Sequence, residues 1–141
     1  MVVKTINSSR LDSQKWHPLE SLIEENYKPT AFIITRDGCV DCAKFEPNIP
    51  ELDGMFKDRV DIKRIHVKYS ENDHRESDRI RSALKIAGYH TVIIFVPSPY
   101  GKLESYRETE PEVERVTEQI NKAIERTERY RKLKIKGILN Y

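Results

Sequence analysis

The sequence contains few cysteines and glycines and no long hydrophobic run. Only two of its 141 residues are cysteine, which is too few for the disulfide framework of a small secreted protein. The pair is therefore expected to serve a chemical role. The apolar runs at 30–34 and 92–96 are far shorter than the roughly 20 residues that a membrane span needs, so no membrane association is expected.

Neither sign of charge dominates the chain. It carries 25 basic and 23 acidic residues, which leave a formal net charge of +2 although 34% of all residues are charged. This balance excludes a strongly basic nucleic-acid-binding protein. The N-terminal residues lack both the apolar segment and the small-residue cleavage site of a secretory signal, so we expect a cytoplasmic location.

The apolar residues predict strands and helices in alternation, which is typical of an α/β fold. Because there is no internal repeat and no linker rich in Gly or Ser, we assign residues 1–130 to one domain and residues 131–141 to a basic C-terminal extension. The predicted strands cover 2–6, 30–35, 60–67, 92–96 and 103–107, and the predicted helices cover 16–23, 45–56, 77–87 and the segment after Pro111.

Two prolines interrupt the second predicted helix. Pro47 and Pro50 cannot donate a backbone hydrogen bond, so we expect this helix to bend or restart at Pro47. The third predicted helix begins at a cap provided by Ser77 or Asp78, and Gly88 ends it.

A Cys-Val-Asp-Cys motif at 39–42 lies between a buried strand and a helix. Unpaired backbone N–H groups and the positive end of the helix dipole stabilise a thiolate at the first position, so the pKa of Cys39 should fall. Cys42 follows three residues later on the same helical face. A thiol in that place can attack a mixed disulfide formed at Cys39 and release the bound thiol.

The chain resembles the thioredoxin family in its order of strands and helices and in two further landmarks. Pro47, five residues after Cys42, matches the proline that bends the active-site helix of thioredoxins, and residues 88–95 resemble the family's Gly-Ile-Pro-Thr segment with its aliphatic continuation. The resemblance implies a thioredoxin-like fold, with a central mixed sheet of four to five strands flanked by helices. It also implies that Cys39 is the nucleophile and that Cys42 resolves the mixed disulfide.

Several positions depart from the family pattern. Gly38 replaces the tryptophan before the first cysteine, and Ile33 stands where thioredoxins bury an aspartate that helps to deprotonate the resolving thiol. Arg64 occupies the place of that aspartate's lysine partner, and we expect its guanidinium to reach solvent or the cysteine loop. His90 replaces the family's cis-proline, and we expect a trans Tyr89–His90 bond because a cis bond before a non-proline residue costs about 3 kcal/mol.

Several residues around the motif are expected to tune the site or to line its groove. A protonated His90 beside Cys39 would stabilise the thiolate. Arg64 is a second candidate for tuning, and so is Asp41, which either raises the cysteine pKa or only favours the helix start. The resemblance places the substrate groove at four residues, namely Gly38, Tyr89, His90 and Thr91.

Together these features predict a thiol–disulfide oxidoreductase that acts on protein disulfides, with a disulfide reductase or another redox partner and no bound cofactor. A non-enzymatic binding module on the same scaffold is the alternative. A metal or iron–sulfur site built from Cys39, Cys42 and His90 is a third hypothesis. Two cysteines and four scattered histidines do not make a standard set of four ligands, so no metal is expected.

The segment 128–141 is rich in basic residues and extends past the end of a minimal thioredoxin-like fold. It is either a solvated helix end or, because 133–136 alternates like a strand, a segment that pairs with a sheet edge or with a second subunit. The second alternative predicts a homodimer through this tail. We expect residues 133–139 to pack on the domain or on that second subunit.

Overall fold

The computed structural model describes residues 3–12, 14, 17–24 and 27–135. Five strands form one sheet: β1 (Lys4–Asn7), β2 (Thr30–Arg36), β3 (Asp61–Val67), β4 (Thr91–Ser98) and β5 (Gly101–Thr109). The helices are α1 (Val40–Phe45), α2 (Asn48–Phe56), α3 (Arg75–Leu84) and α4 (Val113–Ile135), with short 3-10 helices at Ser8–Arg10 and Glu20–Leu22. Within the described ranges, no helix is long and apolar enough to cross a membrane.

The strands lie in the order β1-β3-β2-β4-β5. β1 and β2 both run parallel to β3, whereas β4 runs antiparallel to β2 and to β5. This arrangement confirms the mixed sheet flanked by helices that the sequence predicts. Because β2 and β3 are parallel neighbours, the residues that follow their carboxyl ends meet at one edge of the sheet.

The sheet is covered on both faces, which explains why β2 is apolar along its whole length. Residues 30–35 of β2 are all buried, as expected for a central strand with helices on each side. Phe32 belongs to the core that α3 covers, and Ile33 belongs to the core that α2 and α4 cover. The sequence prediction of a strand at 30–35 is confirmed.

The first predicted helix, over 16–23, is wrong. The described part of that segment forms turns followed by the 3-10 helix Glu20–Leu22, and Trp16 lies outside the described residues. Leu19 and Leu22 are buried against the sheet from this irregular segment. The helical spacing of Leu19 and Leu22 shows only that both side chains are buried, and an irregular turn can bury them as well as a helix can.

The boundaries of α3 also differ from the prediction. The helix begins at Arg75, so Ser77 and Asp78 lie inside its first turn and do not cap it. It ends at Leu84, before Gly88, because Lys85 adopts a left-handed backbone with φ of 55°. The Lys85 N–H donates to the carbonyls of the last turn, which is how a helix commonly ends.

The C-terminal helix continues into the basic segment that begins at residue 128. α4 continues without interruption from Val113 to Ile135, so the strand-like alternation noted from 133 onward does not form a strand up to that point. Residues 136–141 lie outside the described residues, and with them most of the 133–139 segment. The division of the chain at 130 therefore stays a prediction, as does the homodimer.

Candidate functional site

The two cysteines form a disulfide at the N-terminus of α1. Cys39 is the N-cap residue, and its Sγ accepts a hydrogen bond of 3.1 Å from the backbone N–H of Cys42. The Cα atoms are 5.2 Å apart, within the range that a disulfide requires. Cys39 is partly exposed, whereas Cys42 is only 3% exposed. The predicted position of Cys39 at the start of the helix is confirmed.

A tight turn at Gly38 connects β2 to this helix. Gly38 has φ of +69°, a left-handed conformation that favours glycine. The preceding Asp37 N–H donates to the Val67 carbonyl at 3.0 Å, which ties the turn to the end of β3. The turn thereby fixes where Cys39 leaves the sheet.

The predicted interruption at Pro47 is confirmed. α1 ends at Phe45 and α2 begins at Asn48, with Pro47 between them. Proline has no N–H to donate to the carbonyl one turn earlier, so the ladder of helical hydrogen bonds stops there. α1, which carries the cysteine pair at its N-terminus, is therefore a separate short helix from α2.

A groove of about 420 Å³ lies beside the disulfide and is lined by both cysteines and Gly38. Charged and polar side chains from three elements also line it, namely Arg36, Asp37, Glu46 and His66. None of these four residues was predicted from the sequence to belong to the site. We call this recess the cysteine groove.

Two side chains that line the cysteine groove, His66 and Asp37, belong to a hydrogen-bonded chain that continues to the buried Thr35. The Thr35 hydroxyl lies 2.8 Å from His66 Nδ1, and His66 Nε2 lies 2.6 Å from Asp37 Oδ1. The hydrogen bond to His66 is the main reason why the pKa of Asp37 falls below its usual value, and a bond from the Tyr69 N–H adds to it. His66 is thus the imidazole at this groove, a position that the sequence analysis gave to His90.

Arg64 reaches the helix that carries the cysteines. Its Nη1 donates to Glu46 Oε2, and its Nε donates to the Thr5 hydroxyl at 3.2 Å. Glu46 directly follows α1 and lines the cysteine groove. The guanidinium was expected to reach solvent or the cysteine loop. It instead binds a carboxylate at the end of α1. The spacing of Cys42 and Glu46, one helical turn apart, was a sequence signal for this group.

His90 occupies a different recess. Its side chain is buried with the ring centroid 4.7 Å from that of Phe45, and it lines a cavity shared with Asp41 and the start of α4. Burial lowers the pKa of His90, opposed in part by the Pro111 backbone and by the charges of Asp41 and Glu110. Burial therefore disfavours the protonated form of His90 that the sequence analysis considered.

The Tyr89–His90 peptide bond is cis, so the prediction of a trans bond is wrong. That expectation rested only on the local preference of a residue before a non-proline. Two hydrogen bonds hold this segment: the Glu110 N–H donates to the His90 carbonyl at 2.6 Å, and the Thr91 hydroxyl donates locally to the Gly88 carbonyl at 2.6 Å.

The other predicted groove residues are spread over the surrounding core. The Tyr89 hydroxyl donates to the Ser77 carbonyl at 2.9 Å, and Thr91 is fully buried in β4. Of the four residues predicted to form the substrate groove, Gly38 alone lines the cysteine groove. Among the described residues, no three His, Cys, Asp or Glu side chains are placed to hold a metal ion.

Comparison with known proteins identifies the fold. No protein-family model and no curated protein matches the sequence. The solved structure of thioredoxin f2 from Chlamydomonas reinhardtii is similar to this one with a TM-score of 0.59 at 12% sequence identity, over 86% of this chain and 95% of that one. The chain therefore has a thioredoxin-like fold, with a Cys-x-x-Cys disulfide at the N-terminus of α1.

Proposed function

We propose that this protein is a thiol–disulfide oxidoreductase that exchanges electrons between its Cys39–Cys42 pair and disulfides of other proteins. One observation carries the proposal. The two cysteines are bonded to each other at a helix N-terminus, with Cys39 partly exposed and Cys42 buried. Such an arrangement allows the Cys39 thiol to react with a substrate while the Cys42 thiol lies three residues later, close enough to attack the mixed disulfide.

The chemistry follows from the two environments. In the reduced protein the Cys42 N–H and the helix dipole stabilise a thiolate on Cys39, which attacks one sulfur of a substrate disulfide. The substrate S–S bond breaks, one substrate thiolate leaves, and a mixed disulfide forms on Cys39. Cys42 then attacks Cys39 Sγ, which releases the second substrate thiol and regenerates the Cys39–Cys42 disulfide.

Protein disulfides are the proposed substrates. Val40, 68% exposed, lies between the two cysteines and offers an apolar contact next to the accessible sulfur. An external dithiol, supplied by a disulfide reductase or another redox partner, returns the oxidised pair to the dithiol form. The proposal includes a cytoplasmic location, which the low cysteine content favours.

A disulfide reduction assay with insulin tests the proposal. Wild-type protein with a dithiol reductant should accelerate insulin reduction above the reductant alone. Cys39→Ser should return the rate to that background. Cys42→Ser should accumulate a mixed disulfide on Cys39 that intact-mass measurement detects. Equal rates for wild type and Cys39→Ser would contradict the proposal and favour a non-enzymatic binding module.

A further inference from the structure

The resolving cysteine needs a proton acceptor. Cys42 is 3% exposed, so its thiol has little contact with bulk water, yet it attacks only as a thiolate. On the sheet, Ile33 faces the apolar core and offers no acceptor. The titratable side chains that line the cysteine groove with Cys42 are therefore the candidate acceptors.

Two of the groove's titratable side chains are already engaged with each other. Both ring nitrogens of His66 are hydrogen-bonded, to Thr35 at 2.8 Å and to Asp37 at 2.6 Å. Both oxygens of Asp37 are occupied as well, because Oδ2 accepts the Tyr69 N–H at 3.3 Å. A proton transfer from Cys42 to His66 would require one of its two bonds to break, and each Asp37 oxygen already accepts a hydrogen bond.

Glu46 is placed differently. Its backbone N–H donates to the Cys42 carbonyl at 3.0 Å, and the i, i+4 spacing puts both side chains on one face of the helix. Oε2 accepts a hydrogen bond from Arg64, whereas no described residue donates to Oε1. One carboxylate oxygen is thus anchored, and Glu46 lines the same groove as Cys42.

Arg64 explains why this carboxylate is held in place. It lies opposite Ile33 in the β2–β3 register, and the Thr5 hydroxyl on β1 fixes its Nε at 3.2 Å. A guanidinium that is bonded to both Glu46 and Thr5 holds the Glu46 carboxylate in one geometry.

We propose that Glu46 is the proton acceptor for Cys42 in the resolving step, with Arg64 as its positioning residue. This inference rests on the proposed function. The Cys42 proton moves to the Glu46 carboxylate as Cys42 Sγ bonds to Cys39 Sγ. The bond between Cys39 and the substrate sulfur breaks, and the departing thiolate takes the proton from Glu46. Substrate gains two electrons and two protons in the full cycle, and the dithiol loses them.

A reaction with dithiobis(nitrobenzoate) separates the two steps. Attack by Cys39 releases one coloured thiolate, and resolution by Cys42 releases the second. Because this leaving group departs as a thiolate, the second phase reports the deprotonation of Cys42. In Glu46→Gln we expect the second phase to slow by at least about tenfold near pH 7, with the first phase unchanged. Glu51→Gln, a matched change at an exposed position of α2, should leave both phases at wild-type rates.

The pH dependence distinguishes proton transfer from a structural effect. The titratable and charged groups that line the groove are Arg36 at the end of β2, Asp37 after it, His66 on β3 and Glu46 itself, and Arg64 on β3 contacts Glu46. In Glu46→Gln the second phase should rise steeply between about pH 6 and pH 8, as solvent base replaces the carboxylate, while the wild-type phase changes little. Glu46→Asp should recover part of the rate.

Two results would overturn different claims. A second phase in Glu46→Gln with the rate and pH profile of the wild type would refute the role of Glu46 and leave the proposed function intact. Absence of the first phase in wild type would refute the proposed function itself, because Cys39 would then not react with a disulfide.

Discussion

Gly38 lies in the turn that leads into the cysteine groove, and Gly54 in α2 serves as its matched control. Gly38 has φ of +69°, and a Cβ there would lie 3.8 Å from Tyr69 Cδ1, an ordinary contact. Gly38→Ala therefore meets no steric clash and bears only the cost of a left-handed alanine. Gly54 lies in α2, and a Cβ there meets nothing within 4 Å, so alanine fits the helix freely.

The same substitution should have opposite effects at the two sites. A left-handed conformation costs a non-glycine residue about 1–2 kcal/mol, and the reduced entropy of the unfolded alanine chain offsets part of it. Gly38→Ala should therefore lower the free energy of unfolding by about 1 kcal/mol. Gly54→Ala should raise it by about 1 kcal/mol, because alanine is the better helix former.

Urea unfolding of the oxidised protein measures both changes under one condition. The two variants should bracket wild type and differ from each other by about 2 kcal/mol. Gly38→Asn should be milder than Gly38→Ala, since asparagine tolerates the left-handed region. A Gly38→Ala variant as stable as wild type would refute the assigned turn, and a destabilised Gly54→Ala variant would refute the open helical position.

Two further predictions concern stability away from the cysteines. Hydrogen bonds from Lys4 and Lys63 lower the pKa of Glu24 from 4.5 to about 2, so its contribution is present above pH 4.5 and is lost as the pH falls toward 2. In Glu24→Gln the loss of unfolding free energy over this acid window should be smaller than in wild type, and equal losses would contradict the assignment. Arg107 on β5 donates to the carbonyls of Leu84 and Lys85 at the end of α3. Arg107→Gln should lower the free energy of unfolding by about 1–2 kcal/mol in urea, and an unchanged midpoint would show that these bonds contribute nothing.

The strands were predictable from local composition, whereas an irregular segment was not. The run at 30–35 is apolar and rich in β-branched residues, which is typical of a strand buried on both faces of a sheet. In the structure, β2 spans 30–36. Leu19 and Leu22 showed helical spacing, but this spacing encodes only that both are buried. The turn that places them depends on contacts with the sheet, which no local pattern contains.

The site divides in the same way. The positions of Cys39 and Cys42 follow from local chemistry, because a helix N-terminus and a spacing of three residues fix both sulfurs. The contact of His66 with Asp37 depends on β2 and β3 being parallel neighbours, so that their carboxyl ends meet. The burial of His90 against Phe45 could not be predicted, because it depends on how α1 packs and the spacing of residues does not reveal that packing.

A redox titration of the purified protein tests the central claim most directly. The protein is equilibrated with dithiol and disulfide mixtures, quenched in acid and alkylated, and its mass shows how many thiols were free. The account predicts a direct change between a form with two free thiols and the Cys39–Cys42 disulfide form, with a two-electron slope of about 30 mV per tenfold change in ratio. Both thiols remaining free at every potential, or a dominant form with one free thiol, would contradict it.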